Sequence, residues 1–330
     1  MHPRELLSKS RGSKNLALRI IAIFRRFGIT PHRFERRLKR YSTLARSLGC
    51  KPTFAVTAVT LQRYPESIRE LQDQGVEFAV HGHVHTDYRS LPPEQQAEHF
   101  RKAITTFQRC QIPFTGFRAP YLRINGGTPQ VLARLGFPYD SSHIIQWDVV
   151  DKNKYPRHSW AAYEQLIEFY QPQPAQAYLA LPRFIDGLVE IPVSIPDDEA
   201  MVDRLGIRDE GEITRIWMAI LRRTYRRGEL FAVQLHPERI YFCQSALERI
   251  LRQSRRVNPP IWIATLGEIA QWWRERDGFE LEVKAEGDGR YRVRANCSPR
   301  ATLLVKNCRV DAPACAWADG YHRVSATDFI

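Results

Sequence analysis

A chain of 330 residues with 43% hydrophobic and 26% charged side chains can bury a sizeable core and belongs to the globular class, with one large domain and one small one as the natural division. The formal charge is +13, and thirteen Lys and Arg against Glu5 and Glu35 place +11 of it in residues 1–50, so the remainder is near neutral. Such a basic arm can lie on anionic lipid as a peripheral membrane contact, meet an acidic polymer, or simply be a solvated face; no RNA or DNA motif accompanies it, and nucleic acid is not an expected partner.

No run of about 18 apolar residues exists to span a membrane. The apolar stretch 16–24 is short, broken by Arg19 and followed by no small-residue cleavage site. A mature chain beginning close to Met1 and a cytoplasmic location are the expectations. Cys50, Cys110, Cys243, Cys297, Cys308 and Cys315 show no metal-ligand spacing, and reduced thiols fit that compartment. Three of them fall in the last 34 residues, where a disulfide is an open possibility.

Along the chain, short apolar β-branched runs alternate with segments of helical periodicity, the pattern of βα units. Helix is predicted over 33–48, strand over 53–58, helix over 65–74, strand over 76–80, helix over 93–110, strand over 114–117 and helix over 129–135. Strand follows at 188–193, helix at 212–227, strand at 229–235, helix at 244–253 and strand at 261–265. Pro65, Pro93 and Pro129 sit where a first helical turn tolerates proline. After Trp273 the texture changes: 279–285, 291–295 and 301–306 alternate apolar and polar residues around the turn signal Gly287-Asp288-Gly289, and read as a small antiparallel appendage. The expected fold is α/β, a distorted (β/α) barrel with a small C-terminal β-rich appendage. The expected domains are a basic arm over 1–15, the barrel over 16–275 and the β-rich segment over 276–330.

The chemistry concentrates at strand ends. His81-Gly82-His83-Val84-His85 follows the run 76–80, gathering imidazoles where a strand meets its loop; they suit a zinc site, or are loop residues satisfied by water and backbone. Gly116-Phe117-Arg118-Ala119-Pro120-Tyr121 pairs a permanently charged guanidinium with a Pro-Tyr step, fit to orient an oxyanion or to form a rim salt bridge. In Gln234-Leu235-His236-Pro237 a histidine ends another strand, where a general acid or base, or a structural histidine, is held rigidly. Trp317, Tyr321 and His322 in the tail suit a sugar-stacking surface or the interior of a small sandwich.

In this order the motifs resemble those of the NodB-homology polysaccharide deacetylases, carbohydrate esterase family four, over about residues 20–273. The family's His-x-x-x-His pair of metal ligands matches His81 and His85. Its Arg-x-Pro-Tyr wall matches Arg118, Pro120 and Tyr121, its late Leu-x-His acid is similar to Leu235-His236, and 136–142 resembles the sequence after its fourth strand. The family's Asp-Asp motif, which supplies a base and a third ligand, aligns here with residues 23–28, where Arg25 and Arg26 stand instead. Arginine neither binds zinc nor abstracts a proton. The carboxylate can come from Asp197 or Asp198, which are equally read as an acidic helix N-terminus, or from Asp87, Asp140 or Asp148.

The resemblance thus implies a hydrolase of linear amide bonds that removes N-acetyl groups from an amino-sugar polysaccharide or its precursor. It would use Zn2+ or another divalent metal held by His81 and His85. His236 would be the acid, the backbone N–H of Tyr121 would hold the oxyanion, and Arg118 would shape the groove. The alternative is a catalytically inactive relative that binds glycans.

Overall fold

In the computed structural model the described residues are 31–307, 309–311, 314–316 and 321–325. The basic arm 1–15, the Arg25-Arg26 segment, Cys308 and Trp317 lie outside them, and the side chains of Cys315 and Tyr321 are not described. The chain divides into two compact units, up to Gly267 and from Glu268. Among the described residues no helix is long and apolar enough to cross a membrane.

The first unit opens with α1 (Pro31–Ser47), β1 (Thr53–Val56), α2 (Ala58–Arg63), α3 (Pro65–Asp73), β2 (Glu77–Val80) and α4 (Pro93–Arg109). Pro65 and Pro93 each begin their helix, where no intrahelical N–H is required. β1 and β2 pair in parallel, and the wall continues from Val80 to Phe117 and from Phe117 to Asp140 by single parallel bridges. The strand expected at 114–117 is thus reduced to one bridging residue.

Then follow α5 (Thr128–Arg134), β3 (Tyr139–Asp140), β4 (Ile144–Gln146), α6 (Arg157–Tyr170), β5 (Gln173–Pro174), β6 (Arg183–Ile185), β7 (Leu188–Glu190) and β8 (Val193–Ile195). β3 runs parallel to β7, with β6 antiparallel on its far side; β4 lies between β5 and β8, parallel to both. The predicted strand 188–193 is therefore split: β7 and β8 face different neighbours, with Ile191-Pro192 between them.

α7 (Glu210–Arg227) is capped by Asp209, whose carboxylate accepts from the N–H groups of Gly211 and Glu212. Residues 229–235 form no ladder; Ser194 N–H reaches Ala232 O at 3.2 Å, and Leu230 N–H reaches Ala180 O at 2.8 Å. α8 (Ile240–Arg256) follows, and 261–265, another expected strand, is also unladdered.

Helix faces and strands close over two apolar clusters. One gathers Trp147, Trp217, Ile195, Ile216 and Ile250; the other gathers Phe54, Phe78, Phe100, Phe107 and Phe117. Each such side chain removed from water contributes roughly 1.5–3 kcal/mol. The result is a distorted (β/α)-barrel fold whose parallel strands β1, β2, β3, β7 and the β4–β8 pair carry residues at their C-terminal ends.

α9 (Leu266–Asp277) begins at the division. The second unit contains the antiparallel ribbon of β9 (Glu280–Gly287) and β10 (Arg290–Asn296), turned at Asp288 and Gly289, where Gly287, Asp288 and Gly289 all take positive φ. A second sheet orders β11 (Thr302–Lys306), β13 (Tyr321–Ser325) and β12 (Ala314–Ala316). Val324 is buried there, whereas Leu281, Val283, Tyr291 and Leu304 are exposed.

Candidate active site

β2 ends at Val80, and His81 is fastened at once: its N–H donates to Val56 O at 2.9 Å and its Nδ1–H to Arg118 O at 2.7 Å. That second bond leaves Nε2 as the free lone pair, the arrangement a metal-binding imidazole needs. Burial, with the neighbouring His85, pushes its pKa down to about 3, so the ring is neutral. His85 lies edge-on to it, ring centres 5.2 Å apart. The turn between them depends on Gly82, at φ +82°, where a Cβ would stand 2.7 Å from Tyr88 Oη.

The next bridge residue carries Arg118. Its Nε–H and Nη2–H donate to Ser141 O and Oγ at 2.9 and 2.6 Å, which points the guanidinium at the 140–143 segment. Ser142 Oγ accepts from Ala119 N–H and donates to Asp140 at 2.5 Å. Asp140 is fully buried and pushed up to about 7, mainly by that burial. Gly116 precedes this arrangement because a Cβ there would lie 2.5 Å from the ring of Tyr139. Tyr121 adopts φ 60°, uncommon for a side chain of its size, and is 36% exposed.

Across the barrel end, β8 delivers Asp197 and Asp198, both buried. Asp197 accepts from Ala200 N–H at 2.9 Å, capping the single π-type turn Glu199–Arg204, and from Gln234 Nε2 at 3.0 Å. The acidic helix N-terminus read from the sequence is therefore present, but only as one turn and through one of the two carboxylates. Asp198 accepts from both the N–H and the Nδ1–H of His236, at 2.7 and 2.8 Å, with Arg239 Nη1 at 3.7 Å. Burial lowers the basicity of His236, but the charge and hydrogen bond of Asp198 outweigh it and raise its pKa to about 9. Asp197 is raised by burial and by the charge of Asp198.

Asp197, Asp198 and His236 each present a ligand atom, all within 4.8 Å of one another, and they are the one group of three or more such side chains among the described residues. Two carboxylates and an imidazole are a donor set that suits a divalent metal. His81 and His85 do not gather a third His, Cys, Asp or Glu among the described residues within that distance. The remaining sequence candidates serve elsewhere. Asp87 caps the turn Tyr88–Ser90 and pairs with Arg123 at 2.9 Å, Asp140 is bound to Ser142, and Asp148 is exposed. Buried Glu190, with His143 at 3.3 Å, was not marked by any sequence motif. Cys50, Cys110, Cys243 and Cys297 are free thiols.

Residues 33–139 match the family model described as polysaccharide deacetylase, a span that includes His81, His85, Arg118 and Tyr121 and stops before Asp197, Asp198 and His236. A peptidoglycan deacetylase-like protein from Gibberella zeae is 36% identical over 94 residues, 28% of this chain and 28% of that protein, so the match spans just over a quarter of the relative.

A solved structure from Mycobacterium smegmatis assigned as a polysaccharide deacetylase superposes with a TM-score of 0.56 at 22% identity, covering 73% of this chain and 78% of that one. Another, from Pseudomonas aeruginosa PAO1, gives 0.55 at 19%, covering 74% of each. The chain resembles the NodB-homology polysaccharide deacetylases in sequence over 33–139 and shares their fold.

Proposed function

We propose that the protein is a metal-dependent hydrolase that removes N-acetyl groups from an amino-sugar polysaccharide or its precursor. The observation that carries this reading is the Asp198–His236 pair: a histidine whose Nδ1–H donates to a buried carboxylate at 2.8 Å and whose pKa that carboxylate raises, beside a second carboxylate.

His81 and His85 would contribute two ligands to a divalent metal; the Nδ1–H of His81 is bonded to Arg118 O, which leaves Nε2 for the ion, and burial, with smaller contributions from His85 and His236, keeps the ring neutral. Such an ion would polarise the acetamide carbonyl and acidify a water toward about pH 7. Asp198 is committed to His236, which leaves Asp197 as the carboxylate that would accept a proton from the attacking water. His236 donates a proton to the departing amine, as a general acid must. The Tyr121 backbone N–H offers oxyanion contact, and Arg118, clamped by Ser141, shapes the wall.

Elemental analysis together with acetate release from an N-acetylglucosamine oligomer tests this. About one metal per chain, lost in His81→Ala/His85→Ala, is the expected outcome, with acetate release lost in Asp197→Asn/Asp198→Asn. No bound metal after zinc addition would defeat the hydrolase reading. The second reading, a glycan-binding protein without turnover, is favoured by Arg25 and Arg26 at the aligned Asp-Asp position and predicts oligomer binding with no acetate.

A further inference from the structure

Beyond the reacting groups, a line of aromatic side chains leads away from the site. The ring of Tyr121 stands edge-on to His85 at 4.5 Å, and Phe169, near the C-terminal end of α6, stands edge-on to Tyr121 at 6.0 Å. Tyr121 is 36% and Phe169 39% exposed. Single exposed aromatics need no explanation; these two are contiguous with a candidate active site, and Phe169 is fixed in place. The Arg123 guanidinium lies 4.3 Å over one face of the Phe169 ring, and Nη1 donates to Phe169 O at 2.5 Å. Its Nε donates to Asp87 Oδ2 at 2.9 Å, and Asp87 is itself fastened as the cap of the turn Tyr88–Ser90. Arg89 donates to Gln171 at the same rim. An apolar ring held at the surface by a cation–π contact and a backbone hydrogen bond from an arginine that is itself ion-paired is pre-organised for something other than the core.

We propose that the face of Phe169 opposite Arg123, flanked by the nearly perpendicular ring of Tyr121, stacks a second pyranose ring, so that the site reads at least two linked sugars and Phe169 sets the preference for chains over monosaccharides. This rests on the deacetylase reading. The chemistry matches a pyranose because its axial C–H face is apolar enough to lie on an aromatic ring while its hydroxyls reach the polar rim of Arg89, Asp87 and Gln171. A lone monosaccharide seated at His85 would leave Phe169 untouched.

The test uses the full chain with N-acetylglucosamine and its tetramer, measuring acetate release and, by calorimetric titration, binding. Phe169→Ala should raise KM for the tetramer roughly tenfold, the scale of one aromatic contact, with kcat and the monosaccharide rate unchanged, and Phe169→Trp should restore it. An unchanged tetramer KM, or an equal loss on the monosaccharide, overturns the proposal. Should the wild type bind tetramer in a Phe169-dependent way yet release no acetate, the platform stands and the hydrolase reading falls. Absence of both binding and release overturns both.

Discussion

The two edges of the candidate site are built by different means. On the edge formed by β8 and 234–236, Asp197 and Asp198 accept hydrogen bonds from Gln234 and His236, so position is set by side-chain bonding between segments nearly forty residues apart. On the β2 edge, His81 is placed by backbone: its own N–H on Val56, its ring on the Arg118 carbonyl, and a glycine at positive φ just after it. The first edge is therefore sensitive to the loss of a charge, and the second to the addition of a carbon.

The largest effect should come from Asp198→Asn. The amide keeps the shape but not the charge that holds His236 protonated, and kcat for acetate release should fall roughly 10²–10⁴-fold with the circular dichroism unchanged. Activity within a few-fold of wild type would show that His236 does not act as the acid. On the other edge, Gly82→Ala must place a Cβ against Tyr88 in a left-handed backbone, and urea unfolding should report a loss of roughly 1–3 kcal/mol; an unchanged midpoint would show that the turn is not held as described.

A smaller effect separates the edges by pH. In chelator-treated protein His236 has its pKa raised above the ordinary 6.5 to about 9, so its contribution to stability is full below about 6.5 and is lost as pH rises through about 9. The melting temperature should decline over that window, and Asp198→Asn should flatten the decline. His81, depressed to about 3, contributes nothing over that range. Least affected should be the second unit's ribbon: Val283 is 55% exposed, and Val283→Ala should change stability by no more than about 0.5 kcal/mol.

The sequence made the regular parts legible wherever local pattern and packing agree. The helix starts at Pro65 and Pro93 and the strands near 53–58 and 76–80 are of this kind. It misled at 229–235, a mostly apolar run that makes only isolated backbone bonds, from Ser194 N–H to Ala232 O and from Leu230 N–H to Ala180 O, and no ladder. α6 was not predicted, although Pro156 stands directly before its first residue.

At the site, motif spacing exposed His81, His85, Arg118, Tyr121 and His236, and the acids at 197–198 drew notice as a run. That Asp198 faces His236, that Ser141 holds Arg118, and that Asp87 serves Arg123 depend on separations of 23 to 38 residues. No local pattern encodes such separations.

The unladdered segment 229–235 has a kinetic consequence. Backbone amides outside a ladder exchange with solvent through small local openings rather than global unfolding. The segment that ends at His236 is therefore among the parts of the barrel wall most easily lifted away, with Asp198 as its latch. Warming should cost the protein its proton donor before it costs the helices their circular dichroism, and cooling should return both.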